Sequence, residues 1–530
     1  MLTYFVVIPV MIAVFLFVFS SNTTARILAI VFQSIFVLFS GYLVMITREY
    51  SVITFVGSYG DFLGIILYAY NASAIFILLT TILFLAVSVY SFHEVNQRTF
   101  WFLLFLLEAS LVGLFLTRDL FNIFVMIEVS TVVVIILLMY YRERRQMFTG
   151  MVYLMVNIIS MQFYLFGLAY IYMIGGGFDF IHLTEVFSYT DRNDLALPYA
   201  LIMTGLAFKA GIIPLFSIVP KARLYPGAPS AVAALLSGIH VKTAVYLFMR
   251  FQEVFGHVSH HEFFVVVGII TGVTGVVLAI AQTDIKMILA YHTVSQVGLI
   301  IIGLSTAGEY SNLGGLYHII GHGIFKSTLF LTAGIIRHSY GTTDVYKIRG
   351  VFKRMPLVGI ATAFAILGIM GAPFFIGSIS KYFLTYDVHW LVEWSVILIS
   401  LGTIISFIKY GSMLFGYSNL FGDSKKADNW RLVPSFALGT LCLIGGIFGA
   451  QLINFMFGAN ISIDLMGYLQ KSMIFFVSLA AGFVIYKFVV QGNTTLKYIG
   501  GLDFGFKSIC VSMGVFFGIL LIMVGVNPSF

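Results

Sequence analysis

Long apolar stretches separated by short polar segments recur along the whole chain. Most are about 20 residues long, enough for a helix to cross a hydrocarbon core of about 30 Å, whereas a membrane β-strand needs only about ten residues of alternating polarity. The pattern predicts an all-α, polytopic membrane protein with about 16 transmembrane helices. The predicted spans lie near residues 3–19, 27–46, 67–91, 101–117, 119–140, 149–174, 197–219, 230–250, 263–282, 286–305, 315–336, 356–385, 391–415, 433–456, 470–490 and 505–526.

Composition excludes several other classes of protein. Of the 530 residues, 60% are hydrophobic and only 10% are charged, which is too little charge to cover the surface of a soluble domain. The two cysteines both lie in apolar stretches, so we expect neither a disulfide framework nor a metal site. The net charge of +7 is scattered through the loops instead of forming a basic stripe, which argues against nucleic-acid binding.

The basic residues separate by side when alternate loops are assigned to opposite faces of the membrane. One face holds Arg26, Arg98, Arg142, Arg144, Arg145, Lys221, Arg223, Lys286, Arg337, Lys347, Arg349, Lys353, Arg354, Lys425, Lys426, Arg431, Lys487, Lys497 and Lys507. The other holds only Arg48, Arg118, Arg192, Arg250 and Lys471. The positive-inside rule makes the first face cytoplasmic, so the chain is predicted to lie in the cell (inner) membrane with both termini on the outer side.

A small set of ionisable residues remains inside the predicted spans. A charge at the bilayer centre costs at least about 2.5–3.5 kcal/mol, so these side chains should face one another or internal water. They are Lys209, Lys242, Lys326, Lys381, Lys409, Glu108, Glu128, His240, His292, His318 and His322.

Two of these lysines lie beside a proline. Lys209 precedes Pro214 in LAFKAGIIPLF, and Lys381 follows Pro373 in GAPFFIGSISK. Proline removes a backbone donor and clashes with the preceding turn, so both spans should be broken close to their lysines. Broken helices at membrane depth line cavities, and a pair of them in separate halves is typical of a transporter with internal repeats.

Glu128 has apolar neighbours on every side, so burial disfavours its charge while a nearby lysine would favour it. A Glu–Lys pair can therefore act as a proton site, although a static ion pair between two helices is the alternative.

Lys242 could pass protons between the halves of the protein. His240 is as consistent with packing as with proton transfer, Glu108 with an accessory acid or an interhelical pair, and Lys409 with snorkelling to the cytoplasmic surface.

His318, His322 and Lys326 are spaced four residues apart and share one helical face. A polar stripe through a membrane favours a proton wire, because imidazole titrates near neutral pH. Two histidines four residues apart could also bind a metal, but no acid follows in the required context, and static hydrogen bonding is the remaining alternative.

With these residues in place, the chain resembles the antiporter-like, proton-translocating subunits of Mrp-type cation/proton antiporters, respiratory complex I and membrane-bound hydrogenases. The matching segments are DLFNIFVMIEVS (119–130), LAFKAGIIPL with PSAVAALLSGIHVKTAVYLFMR (206–250), TDIKMILAYHTVSQVGLI with LYHIIGHGIFKSTLFLTAG (283–334), and GAPFFIGSISK (371–381).

The resemblance implies two inverted five-helix repeats and a role for each candidate. Glu128 and Lys209 would form the first half-channel, and Lys242 would link the halves. Lys381 would open the exit. A polar axis between Lys242 and Lys381 would run through His292, His318, His322 and Lys326. Members of the family work with other membrane subunits and carry no redox cofactor of their own. We expect four segments: N-terminal helices (1–100), a first repeat (101–250), a second repeat (251–415) and C-terminal helices (416–530).

The chain departs from the family pattern after the first break, where PLFSIVPKAR replaces a sequence similar to PLHFWLPDAH. It also continues about two spans beyond a fourteen-helix core.

We interpret the chain as a proton-translocating subunit of an Mrp-type Na+/H+ antiporter, closest in layout to its D-type member, with no catalytic centre of its own. The pumping subunit of a redox-driven complex is the main alternative. A stand-alone symporter and a scaffold subunit that has lost transport are weaker ones.

Overall fold

The computed structural model describes residues 1–19, 21–57, 64–95, 97–215, 224–417, 428–502 and 505–525. Residues 216–223, where the chain departs from the family pattern, therefore lie outside the described residues, as do Lys425 and Lys426. The helices are α1 (Leu2–Phe19), α2 (Asn22–Thr47), α3 (Asn71–Tyr90), α4 (Arg98–Leu116), α5 (Leu120–Leu138), α6 (Arg144–Gly175), α7 (Phe180–Tyr189), α8 (Arg192–Ala210), α9 (Ser230–Leu235), α10 (Val241–Phe255), α11 (His261–Ala281), α12 (Ile285–Ser305), α13 (Glu309–Tyr340), α14 (Val351–Arg354), α15 (Pro356–Met370), α16 (Ile376–Leu384), α17 (Trp390–Gly411), α18 (Asn429–Ile447), α19 (Gly449–Phe457), α20 (Leu465–Ile485), α21 (Thr494–Gly500) and α22 (Phe506–Gly525).

The described helices confirm a polytopic membrane protein. Fourteen helices or joined helices are long and apolar enough to cross a membrane. The two remaining predicted spans are the interrupted ones: 197–219 contains the end of α8, and 356–385 contains α15 and α16 on either side of a break. The exact number of sixteen crossings stays a prediction.

One element departs from the all-α prediction. Strands β1 (Val52–Val56) and β2 (Ile65–Ala69) form an antiparallel hairpin, with Val52 opposite Ala69. The span predicted at 67–91 therefore begins within a strand, and its helix starts only at Asn71. The apolar run continues from strand into helix, and hydrophobicity by itself does not separate the two.

A structural repeat relates two parts of the chain. Asp119 forms an isolated β-bridge with Asp179, and Asp284 forms the same bridge with Asp344. The offset is 165 residues in both cases (284 − 119 = 344 − 179). Asp119 and Asp284 also cap the first turns of α5 and α12 with their carboxylates, since each accepts a hydrogen bond from a backbone N–H there.

Glycine caps extend the repeat. Gly176 and Gly341 end α6 and α13 in the left-handed conformation, with φ of 68° and 69°, and Gly211 and Gly371 end α8 and α15 with φ of 78° and 82°. Only glycine adopts this conformation at little cost, so each marks a helix end.

Helices α11 and α12 pack with almost no side chain between them. A Cβ added to Gly298 would lie 2.5 Å from the backbone nitrogen of Gly272 and 2.6 Å from the backbone oxygen of Gly268. Small residues at such contacts let two membrane helices approach closely, so that van der Waals contact replaces the hydrophobic driving force that lipid cannot provide.

This contact gives a first prediction. Gly298→Leu should lower the thermal stability of the purified protein by more than the roughly 1–3 kcal/mol usual for overpacking, because the opposing atoms are backbone. Gly514→Leu in α22, where no atom lies within 4 Å of an added Cβ, is the matched control. Melting of the two variants can be compared by size-exclusion in detergent, and equal melting would contradict the packing described here.

Candidate functional site

Lys209 and Glu128 lie on facing helices, but in this structure they are not joined directly. Lys209 Nζ donates to Thr131 Oγ1 at 2.7 Å, and within the described part of the chain no ion pair connects Lys209 with Glu128. Thr131 lies one helical turn after Glu128 on the same face of α5. Oxygen Oε1 of Glu128 is buried without a hydrogen-bond partner among the described residues. The carboxylate is therefore the next acceptor along α5 for the lysine.

The end of α8 determines where Lys209 lies. The backbone N–H groups of Gly211 and Ile212 bond to the carbonyls of Phe208 (3.1 Å) and Ala207 (3.0 Å), which closes the helix immediately after Ala210. Lys209 thus occupies the last turn, where the partial negative charge of the helix end favours a cation. The predicted break beside Lys209 is present, and Gly211 forms it together with Pro214.

Lys242 is fully buried beside an irregular turn. Residues Leu236–His240 form a π-helical turn between α9 and α10, and Lys242 Nζ donates to the backbone carbonyl of Ser237 within that turn. The hydroxyl of Ser237 contacts that of Thr293 at 2.6 Å, linking the turn to α12. His240 is the last residue of the turn and is mostly buried. π-turns within helices are rare and often occur at functional sites.

His318 connects three helices. Its Nδ1 lies 2.8 Å from Ser380 Oγ of α16, and its Nε2 lies 3.0 Å from Gln296 Oε1 of α12. A carboxamide oxygen only accepts, so Nε2 donates to Gln296. Nδ1 contacts the Ser380 hydroxyl, which also lies 3.2 Å from the Gly377 carbonyl. The imidazole is thereby oriented between α12 and α16, both of which lie in the expected second repeat.

The other members of the predicted stripe are equally buried. Lys326 Nζ donates to the Leu289 carbonyl at 2.5 Å. His322 packs against Phe325, with ring centres 5.4 Å apart, and His292 against Phe407 at 4.7 Å. Neither ring nitrogen of His292 or His322 has a hydrogen-bond partner among the described residues. Buried polar groups are normally satisfied by protein or by ordered water, so these imidazoles mark polar sites along the stripe.

Lys381 lies beyond the second break and turns back towards it. Its Nζ donates to the carbonyls of Met370 (3.0 Å) and Ile369 (3.2 Å), the last residues of α15. The ammonium thus satisfies carbonyls that a helix end leaves without intrahelical partners. In both breaks, therefore, a lysine lies at the C-terminal end of a half-helix.

Two accessory candidates have structural partners. Lys409 is 1% exposed and donates to the carbonyls of Ile280 and Gln282, both at 2.6 Å, at the end of α11. The interpretation that it snorkels to the surface is therefore wrong, because the end of α11 lies within its reach. Glu108 accepts a hydrogen bond of 2.6 Å from Gln33 of α2, which agrees with an interhelical pair.

Sequence reasoning missed several groups that contact the candidates. Lys286 was assigned to a cytoplasmic loop, but it is 0% exposed, and its Nζ donates to the Ala228 carbonyl at 2.9 Å. Thr131, Gln296 and Ser380 are polar residues within apolar spans, and their polarity was the available signal. The described residues contain no group of three or more His, Cys, Asp or Glu side chains that could hold a metal ion.

Comparison with known proteins establishes the family. The model of the NADH:quinone oxidoreductase/Mrp antiporter transmembrane family matches residues 117–408, more than half of the chain. The chain belongs to this family. The match covers every candidate except Glu108 and Lys409, and it confirms the resemblance inferred from the sequence motifs.

Two relatives are similar to this chain over most of their length. The D-type polypeptide of the Na+/H+ antiporter of Alkalihalophilus pseudofirmus is 29% identical over 392 residues, 72% of this chain and 78% of the relative. The N-type polypeptide of the NADH-quinone oxidoreductase of Desulforudis audaxviator is 28% identical over 386 residues, 68% and 76% of the two chains.

Solved structures share the fold of the family. A chain of the Mrp complex from Dietzia sp. DQ12-45-1b superposes with a TM-score of 0.79 at 22% identity, covering 94% of this chain and 99% of that one. A chain of respiratory complex I from Thermus thermophilus gives 0.75 at 18% identity, covering 90% and 100%. These likenesses support the same helical architecture.

The capping contacts of Lys409 give a second prediction. Lys409→Met should destabilise the protein by about 1–3 kcal/mol, because carbonyls at the buried end of α11 lose their charged donor. Lys409→Arg should recover part of the loss, and Lys497→Met on the exposed face of α21 should have no effect. The measurement is the thermal midpoint in detergent. A midpoint for Lys409→Met equal to that of the unaltered protein would show that the lysine does not cap α11.

Proposed function

We propose that this chain is a proton-translocating subunit of a multisubunit, Mrp-type Na+/H+ antiporter. The observation that carries the proposal is the line of buried and half-buried lysines whose hydrogen bonds go to uncharged oxygens. Lys209 bonds to a threonine hydroxyl, and Lys326 and Lys381 bond to backbone carbonyls. An ammonium held by neutral acceptors can lose its proton without leaving a carboxylate unpaired, which suits a proton carrier better than a structural ion pair.

The proposed mechanism passes protons stepwise along this line. A proton enters near Lys242 and moves through the histidine–lysine stripe, where His318 provides a hydrogen-bonded bridge between α12 and α16. At the other end, Lys209 exchanges its bond to Thr131 for a bond to Glu128. This exchange changes the charge felt by a neighbouring membrane protein of the complex and couples proton movement to the second ion.

The Lys209 exchange gives a third prediction. Glu128→Gln and Lys209→Met should each abolish ion exchange in the assembled complex. Thr131→Val should reduce exchange severalfold, because the lysine then has only one of its two acceptors. Thr204→Val is the matched control, since Thr204 is a buried threonine of α8 whose hydroxyl donates to the Ala200 carbonyl of its own helix.

Exchange can be measured by fluorescence dequenching in inverted membrane vesicles after sodium addition, with assembly checked on native gels. Full exchange by an assembled Glu128→Gln or Lys209→Met complex would refute the proposed role of the pair. Equal loss in Thr131→Val and Thr204→Val would show that Thr131 acts only through packing.

The pumping subunit of a redox-driven complex is the second candidate function. It is favoured by the similarity to a polypeptide of an NADH-quinone oxidoreductase, and also by the likeness to a chain of an archaeal membrane-bound sulfane sulfur reductase, with a TM-score of 0.79 at 21% identity. Gentle purification of the tagged chain with its partners separates the two candidates. Flavin absorption or bound iron in the assembly would favour the redox complex, and several membrane subunits without cofactors would favour the antiporter.

The proposal includes other membrane subunits as partners and an orientation with both termini outside. A protease site added to either terminus should therefore be cleaved in intact spheroplasts. A site inserted beside Lys347, in the loop assigned to the cytoplasm, should be cleaved only after lysis. Protection of a terminal site in intact cells, with cleavage after lysis, would reverse the orientation.

A further inference from the structure

A cavity of about 80 Å³ lies between the second broken helix, α17 and the C-terminal helix α20. Lys381 and Lys471 both line it, together with the hydroxyl-bearing side chains of Ser378, Tyr468 and Ser472. One water needs about 10–15 Å³ measured in this way, so the cavity has room for several. It therefore places a lysine of the proposed proton path in the same cavity as a lysine from a different part of the chain.

Helix α20 follows the family region, which ends at residue 408, yet it bonds directly to the break in the broken helix. The backbone N–H of Phe374 donates to the Tyr468 hydroxyl at 3.0 Å, and the hydroxyls of Ser378 and Tyr468 are 2.9 Å apart. The irregular backbone beside Lys381 is thus completed by a side chain of α20.

The cavity continues towards the predicted outer surface through an ion pair. Lys471 Nζ bonds to the Glu393 carboxylate near the start of α17, and the two side chains are 29% and 33% exposed. Trp390 and Trp394 beside Glu393 are exposed, as is typical of residues at a membrane–water interface. Glu393 is therefore an acid in contact with solvent on one side and with a cavity lysine on the other.

We propose that the Glu393–Lys471 pair, formed between α17 and α20, is the last group to exchange the proton of Lys381 with the outside. The inference rests on the proposed function and deepens it by naming the exit. The Lys381 ammonium releases one proton into the cavity and becomes a neutral amine. The Glu393 carboxylate accepts that proton and later gives it to outside water, while Lys471 remains an ammonium throughout.

The other titratable groups around the pair come from three helices. Tyr382 of α16 and Tyr468 of α20 line the cavity with Lys381. Asp464 caps the start of α20, and His389 caps the start of α17 one turn before Glu393. Glu393 is the carboxylate among these that bonds to a cavity-lining ammonium. The competing explanation is a static tie, meaning a structural ion pair that holds α20 against α17 and transfers no proton.

The test uses the assembled complex with the full chain in inverted vesicles, and it measures sodium-driven proton exchange between pH 6 and 9. Glu393→Gln should lower the rate by about a hundredfold, the lower end of the usual loss of a proton-transfer group, and should change the pH profile. Lys471→Gln should also lower the rate, because the carboxylate loses the ammonium that holds it beside the cavity. Glu393→Asp should recover most of the rate. Glu253→Gln, which alters another acid paired with a base on the predicted outer side, is the matched control and should exchange normally.

A second variant separates proton transfer from a static tie. Ser400 lines the cavity, so Ser400→Leu reduces the room for water in it without altering either charged side chain. A static tie predicts normal exchange for this variant, whereas the proposal predicts a loss similar to that of Glu393→Gln. If the charge variants fail to assemble, Ser400→Leu decides the outcome.

The outcomes distinguish this inference from the function on which it rests. Normal rates and an unchanged pH profile in Glu393→Gln, or normal exchange in Ser400→Leu, would overturn the exit station. If Lys381→Met abolished exchange in the same experiment, the proposed function would stand. Normal exchange in an assembled Lys381→Met complex would instead remove Lys381 from the path, and the proposed function would fail with it.

Discussion

The structure depends on how charged lysines are accommodated at membrane depth. Burial of an ammonium is costly unless oxygen atoms replace its water, and helix ends have carbonyls without intrahelical partners. This chain supplies them where helices are interrupted. Carbonyls at the end of α15 accept hydrogen bonds from Lys381, those at the end of α11 accept from Lys409, and one in the π-turn accepts from Lys242. The helix ends and the π-turn therefore explain the positions of these three lysines, whereas Lys326 donates to the Leu289 carbonyl within the regular helix α12.

These acceptors also separate two kinds of lysine. Lys409 bonds at short distance to two carbonyls of one helix end, which is a capping arrangement. Lys209 bonds to one hydroxyl, with Glu128 one turn away on the same face, so a second position is within its reach. The first arrangement favours one geometry, whereas the second allows two. A proton-coupled change of charge requires the second kind.

The 165-residue repeat explains why the two breaks resemble each other but are not used identically. The Asp119–Asp179 and Asp284–Asp344 bridges fix equivalent helix starts in the two copies, and Gly211 and Gly371 end equivalent half-helices. The lysines differ, because Lys209 precedes its break and Lys381 follows it. Helix α20 also packs over the second break, where Tyr468 bonds to Phe374 and Ser378. The second break therefore has a neighbouring helix from outside the two copies.

The sequence by itself determined which residues lie at membrane depth and where two spans break. Both are local properties: a run of apolar residues fixes a span, and the Gly–Pro pairs at 211–214 and 371–373 end a helix wherever it packs. The shared face of His318, His322 and Lys326 also followed from helical period alone. Only the tertiary structure decided the partners, because a hydrogen-bond partner depends on which helices become neighbours. Thus Lys209 contacts Thr131 instead of Glu128, and α20 joins the cavity of Lys381, a residue about 90 positions earlier in the chain.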